Sequence, residues 1–125
     1  MSNESYMQRA IELALQGLGR TSPNPMVGAI VVKNNKIIGE GYHRRAGTPH
    51  AEVHALRMAG RSTFGAILYV TLEPCPHYGR TPPCVDAIVN AGIKHVYIGA
   101  RDPNPHVNGL GIKMLKKSGI KVEEG

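Results

Sequence analysis

Three short apolar runs alternate with stretches of helical periodicity in the second half of this chain. That order constrains the fold more than any other feature. Ile67-Leu68-Tyr69-Val70-Thr71-Leu72, His95-Val96-Tyr97-Ile98-Gly99-Ala100 and Ile120-Lys121-Val122 each read as a strand. Between them, Val85, Ile88 and Val89 recur at helical spacing up to Gly92, and Leu110 to Lys117 forms a second helical stretch closed by Gly119. Right-handed crossovers through those two helices make the three strands parallel.

Upstream, Val27 to Val32 reads as a buried strand, Lys33-Asn34-Asn35-Lys36 as a turn and Ile37 to His43 as the returning strand. An apolar face formed by Met7, Ala10, Ile11, Ala14, Leu15 and Leu18 predicts a first helix that packs on the core, ended by Gly17 and Gly19. A further helix runs from His50 or Ala51 to about Ala59, with Val53, Leu56 and Ala55 or Ala59 inward, and Gly60 stops it. The order α-β-β-α-β-α-β-α-β predicts an α/β fold. One mixed five-stranded sheet starts with an antiparallel hairpin, has its last three strands parallel and carries helices on both faces. At 125 residues, with no linker or repeat, the expectation is one domain over residues 1–125.

No apolar run is long enough to span a bilayer, and no basic-then-apolar leader opens the chain, so a cytoplasmic protein without membrane association is expected. The net charge of +6 favours anionic ligands. With one Phe and no Trp, a base-stacking platform is poorly supplied, and nucleic acid is not the expected partner. Lys113, Lys116, Lys117 and Lys121 read as a solvated face, and Arg44-Arg45 as a solvated loop.

The chemistry is carried by His50-Ala51-Glu52, then Glu73-Pro74-Cys75, then Cys84. Both cysteines of the chain are in this set, and two cysteines do not make a disulfide framework in a reducing compartment. His50, Cys75 and Cys84 make three zinc ligands, one short of a closed tetrahedron, which leaves a position for water. Glu52 is placed to carry protons for that water. Two residues apart on a regular helix point about 200° apart. His50 and Glu52 therefore meet one water only if His50 sits at the helix cap. Cys75 follows a strand and Cys84 begins a helix, so the set gathers beyond the carboxyl end of the parallel strands. Glu73 is expected to hydrogen-bond its loop, and His54 to pack or support the site.

Eight residues separate the two cysteines, more than the Cys-x-x-Cys of most zinc deaminases. The stretch Thr71-Leu72-Glu73-Pro74-Cys75-Pro76-His77-Tyr78-Gly79-Arg80-Thr81-Pro82-Pro83-Cys84 resembles the pyrimidine deaminases of riboflavin biosynthesis. So do Ser22-Pro23-Asn24-Pro25-Met26-Val27-Gly28-Ala29, Gly41-Tyr42-His43, His50 to Ala55 and Arg101-Asp102-Pro103-Asn104-Pro105, and together they cover nearly the whole chain.

The resemblance implies a cytidine-deaminase-like three-layer α/β/α sandwich and Zn2+ as cofactor. It implies hydrolytic deamination of 2,5-diamino-6-(5-phosphoribosylamino)pyrimidin-4(3H)-one to 5-amino-6-(5-phosphoribosylamino)uracil. By the same likeness Asn24, His43 and His77 face the pyrimidine, Arg80 and Thr81 are candidates for the phosphate, and Asn104 closes the pocket. Members are often homo-oligomers and are often joined to an NADPH-dependent reductase. No Gly-x-Gly-x-x-Gly fingerprint occurs here, so no reductase activity is expected within these 125 residues. Two other readings stay open at this point. One is another nucleobase or RNA adenosine deaminase. The other is a structural zinc site, closed by a further histidine such as His77, in a nucleic-acid-binding module.

Overall fold

The computed structural model describes residues 2–20, 25–45, 48–76, 83–105 and 107–125. Its elements are α1 (Asn3–Leu15), β1 (Gly28–Lys33), β2 (Lys36–Tyr42), α2 (Ala51–Ala59), a 3-10 turn at Gly60–Thr63, β3 (Ile67–Leu72), α3 (Cys84–Asn90), β4 (His95–Ala100), α4 (Leu110–Lys117) and β5 (Lys121–Glu124). The sheet order is β2-β1-β3-β4-β5; β1 is antiparallel to β2 and β3, and β3, β4 and β5 are parallel. The hairpin closes through Asn34 and Asn35, both at positive φ (53° and 61°). That is the two-residue turn whose twist matches the strands it joins, and asparagine tolerates the left-handed region best after glycine.

Both faces of the sheet carry helices, as expected, but unevenly. β2 and β3 each run antiparallel to β1 and so are parallel to one another. The chain therefore makes three successive crossovers, β2 to β3, β3 to β4 and β4 to β5, all stepping the same way across the sheet. Right-handedness places α2, α3 and α4 on one face. There they enclose the larger core, in which Val31, Leu68, Val70, Val96 and Ile98 from the strands meet Ala55, Ile88, Ile112 and Leu115 from the helices. Among the described elements α1 covers the other face, where Tyr6 and Leu13 meet Ile30, Val32 and Tyr69.

The first helix differs from its sequence pattern. Tyr6, Ala10, Leu13 and Ala14 are buried, whereas Ile11 and Leu15 are 41% and 55% exposed, and Leu18, beyond the helix end, 68%. The Tyr6 ring lies 5.2 Å from that of Tyr69, and the Tyr69 hydroxyl donates to Asn3 Oδ1, which fixes the rotation of the helix on the sheet. Arg9 then reaches β2, donating from Nε and Nη2 to Glu40 at 2.7 and 3.1 Å. Val89 is exposed despite its helical spacing with Val85 and Ile88, Pro83 is the N-cap of α3, and β5 runs beyond the expected Val122 to Glu124. His95 is half-buried, stacked on Tyr97 at 4.3 Å. The four lysines near the C-terminus are exposed.

Gly39 lets α2 sit close on β2. A Cβ at that position would lie 2.1 Å from the Ala55 carbonyl oxygen, so only hydrogen fits there. This contact sets the height of α2, the helix that presents His50 and Glu52.

Candidate metal centre

His50 is the N-cap of α2, with extended backbone (φ −74°, ψ 166°), and Glu52 is the second residue of the helix. The cap position removes the 200° separation that two helical residues would have. Both side chains turn toward the loop that leaves β3. Cys75 lies in that loop, and Cys84 is the first residue of α3. His50 Nδ1 is 3.1 Å from Cys84 Sγ and 3.6 Å from Cys75 Sγ. The three donor atoms lie within 4.8 Å of one another. Tetrahedral zinc with ordinary Zn–N and Zn–S bonds needs nitrogen and sulfur about 3.5 Å apart, so this donor set fits the cation. Among the described residues the converging group has three donors, and Glu52 is outside it.

The electrostatics agree with the geometry. Hydrogen bonding from Cys84 draws the Cys75 thiol well below its ordinary range, and His50 adds to this. The same bond holds the proton on Cys84, whose ionisation is pushed up, with burial adding to the effect. Two sulfurs thus share one proton, which is the arrangement a divalent cation replaces. The Cys84 backbone N–H donates to Cys75 Sγ at 3.3 Å and favours the thiolate there. His50 is raised, first by its hydrogen bond with Cys75. Glu52 is 3% exposed. Burial pushes its carboxyl up to about 7, and negative Cys75 adds to the rise, while its own backbone N–H, His50 and Cys84 act the other way. A carboxyl that exchanges its proton near neutrality is suited to both taking and giving one.

Residues 1–100 match the family of cytidine and deoxycytidylate deaminase zinc-binding regions. The chain belongs to this family. Within it, the chain belongs with the diaminohydroxyphosphoribosylaminopyrimidine deaminases. It is 53% identical over 125 residues to the enzyme of that name from Buchnera aphidicola subsp. Schizaphis graminum, covering all of this chain and 85% of that protein. It is 57% identical to riboflavin biosynthesis protein RibD of Escherichia coli, again over the whole chain but only 34% of that protein. The crystal structure of a diaminohydroxyphosphoribosylaminopyrimidine deaminase/5-amino-6-(5-phosphoribosylamino)uracil reductase from Thermotoga maritima superposes with a TM-score of 0.91. It is 55% identical, over 98% of this chain and 36% of that one. The chain thus spans about a third of the length of the RibD relatives. The cytidine-deaminase-like fold and the zinc-binding character expected from the sequence are those of the family.

Of the six residues the resemblance assigned to substrate, Asn24, His77, Arg80 and Thr81 lie outside the described residues. His43 is buried beside the triad, its ring edge-on to His50 at 5.0 Å and its Nδ1 3.3 Å from the Pro49 carbonyl oxygen. Burial lowers its pKa, which favours the neutral ring. Asn104 is exposed in the turn between β4 and α4; its N–H donates to Asp102 Oδ1, and its carbonyl accepts from Val107 and Asn108.

Glu73 has a larger part than a bond within its own loop. It is buried, and its carboxylate accepts three backbone N–H groups from the far side of the site: Asp102 (3.3 Å) and Gly109 (2.9 Å) at Oε1, and Ile112 (3.2 Å) at Oε2. It ties the loop carrying Cys75 to the segment carrying Asn104 and to the start of α4. Gly111 completes the joint, since a Cβ there would come 2.2 Å from the Pro74 carbonyl oxygen. The local signal is an acidic residue at a strand end, but its partners lie 29 to 39 residues on and offer main-chain donors.

Proposed function

We propose that the chain catalyses hydrolytic deamination of a phosphoribosylated diaminopyrimidine, giving the corresponding aminouracil and ammonia. In this reading His50, Cys75 and Cys84 hold zinc, and Glu52 is the proton carrier. The observation that carries it is the buried Glu52 carboxyl beside a converging set of three donors that it does not join. Zinc held there supplies a Lewis acid that makes a water nucleophilic at neutral pH. Glu52 accepts the proton the water loses and passes protons to the ring nitrogen and then to the amine. The C–O bond forms as the ring C=N π pair moves onto the protonated ring nitrogen; the exocyclic C–N bond then breaks as the carbonyl forms, and ammonia leaves. Neutral His43 walls the site beside His50, with its ring fixed by the Pro49 carbonyl. Asn24 and His77 serve as partners for the pyrimidine, Arg80 and Thr81 for the phosphate, and Asn104 for closing the pocket.

The pyrimidine assignment is supported by the Buchnera relative, which carries that substrate class in its name and matches this chain over most of its own length. No helix among the described residues is long and apolar enough to cross a membrane, in keeping with a cytoplasmic enzyme. We further propose that residues 1–125 form one deaminase domain that assembles as a homo-oligomer. A linked reductase, of the kind the Thermotoga protein's name includes, would take up the product.

The test is Glu52→Gln. The variant is expected to bind one zinc per chain with unchanged affinity and to release ammonia from the phosphoribosylated diaminopyrimidine ~10²–10⁴-fold more slowly. Undiminished turnover would remove Glu52 from the mechanism. Faster ammonia release from an adenosine-bearing RNA or from cytosine would replace the substrate.

A further inference from the structure

The sequence reads Arg44-Arg45 as a solvated loop, but the structure brings a third arginine to them from a distant part of the chain. Arg20, past the end of α1, joins Arg44 and Arg45 around a cavity of about 540 Å³ whose other walls include Tyr42, Thr48 and His54. The cavity lies beyond the end of β2, and His54 is one helical turn along α2 from His50. Among the described residues, three arginines line it and no carboxylate does. Two arginines elsewhere are paired, Arg9 with Glu40 and Glu12, and Arg101 with Glu124 through Nε and Nη2, whereas, among the described residues, Arg57 and Arg61 stand singly on the exposed side of α2 and the turn after it. Among the described residues, none of Arg20, Arg44 and Arg45 forms an ion pair.

Arg44, Arg45 and Thr48 are held by local contacts. The Thr48 hydroxyl donates to the Arg45 carbonyl oxygen at 2.6 Å, and Thr48 N–H donates to the same oxygen at 3.2 Å. Arg44 is steadied 5.6 Å over the Tyr42 ring. Cations concentrated in a concave site, without a counter-charge of their own, match a small multivalent anion. Planar guanidinium forks suit phosphate oxygens best.

We propose that this cavity binds a phosphate monoester group. The phosphate dianion sits among Arg20, Arg44 and Arg45, with Tyr42 and Thr48 at its rim. Two sources present that chemistry: the phosphoribosyl arm of a substrate held at the metal centre, whose phosphate these arginines would then take in place of Arg80 and Thr81, or a separate phosphorylated metabolite. The binding itself does not depend on the deaminase reading, because it is measured without turnover.

The probe is ribose 5-phosphate, titrated into the zinc-loaded protein and followed by calorimetry and by the backbone amide resonances of Arg44 and Arg45, with ribose as the uncharged control. Saturable binding of ribose 5-phosphate but not of ribose is expected. The double variant Arg44→Gln/Arg45→Gln should weaken it by roughly tenfold or more, while Arg44→Lys/Arg45→Lys keeps part of the affinity. Lys116→Gln/Lys117→Gln, which removes equal charge from α4, should leave it unchanged. No saturable binding, equal binding by the Arg-to-Gln variant, or equal weakening by the α4 variant would each overturn the site. Kinetics then separate the sources. A KM that rises in the Arg-to-Gln variant for the phosphorylated pyrimidine, but not for its dephosphorylated form, assigns the cavity to the substrate's own phosphate. Unchanged KM, with ribose 5-phosphate still bound beside saturating substrate, assigns it to a second ligand.

Discussion

Removing Glu73 tests whether one buried side chain joins the two halves of the site. Its carboxylate is the acceptor for the N–H groups of Asp102, Gly109 and Ile112. Glu73→Gln keeps the shape. With its oxygen toward Asp102 and Gly109, its amide N–H then faces the Ile112 N–H, and one donor is orphaned at a cost of about 1–3 kcal/mol. Glu73→Ala orphans all three, so even at the low end of that range it costs at least about 3 kcal/mol. For a domain of this length a kcal/mol moves Tm by roughly 4 °C, which predicts a fall above about 10 °C for Ala and a smaller one for Gln. Thermal unfolding of the zinc-loaded protein by circular dichroism measures both. Both variants should still bind one zinc, because Glu73 touches none of the three donors. KM for the phosphorylated pyrimidine should rise more than kcat falls, because the Asn104 segment loses its tether. A Tm for the Ala variant within about 2 °C of the parent would refute the reasoning, as would a Gln variant less stable than Ala.

Two further outcomes follow from the scaffold. Gly39→Ala forces a methyl against the Ala55 carbonyl, where no rotamer change relieves the overlap. It should cost about 1–3 kcal/mol in urea unfolding and weaken zinc binding in a chelator competition, because α2 must lift. The Arg9–Glu40 pair should show in the pH dependence of stability. Hydrogen bonding from Arg9 lowers the Glu40 carboxyl below its ordinary value, so the contribution is complete above the unfolded pKa and lost as pH falls through the folded one. Both side chains are partly exposed, so Glu40→Gln should cost only about 0.5–1 kcal/mol at pH 7, with the gap from the parent closing below about pH 4 in urea unfolding at constant ionic strength.

Much of the fold was legible because local and global preferences agree. The runs Ile67–Leu72 and His95–Ala100 are β-branched and aromatic and became strands over those same residues, and Leu110–Lys117 became a helix over its expected span. The rotation of α1 was not legible. Ile11 and Leu15 form a stronger apolar stripe than Ala10 and Ala14, but the helix turns its small residues inward and lets Tyr6 meet Tyr69. The uneven layering also escaped a residue-by-residue reading, since it depends on the direction of three crossovers taken together. At the site, residue type alone marked His50, Glu52, Cys75 and Cys84. The cap geometry that aims His50, the three-way reach of Glu73 and the nearness of Arg20 to Arg44 arise from the tertiary fold and have no short-range signature.

Among the described residues, the three side chains that could hold a metal ion lie between residues 50 and 84: His50 at the cap of α2, Cys75 in the loop after β3 and Cys84 at the start of α3. A cation bound there would link residue 50 to residue 84 in the middle of the chain and leave both ends outside the closure. Closing a segment of that length costs the unfolded chain about 4 kcal/mol of entropy, so a cation held only by the folded site restrains the middle segment most. Amide exchange should then slow most, on adding zinc, at the start of α3 and least in β5, making the metal a clamp on the centre of the domain rather than on its rim.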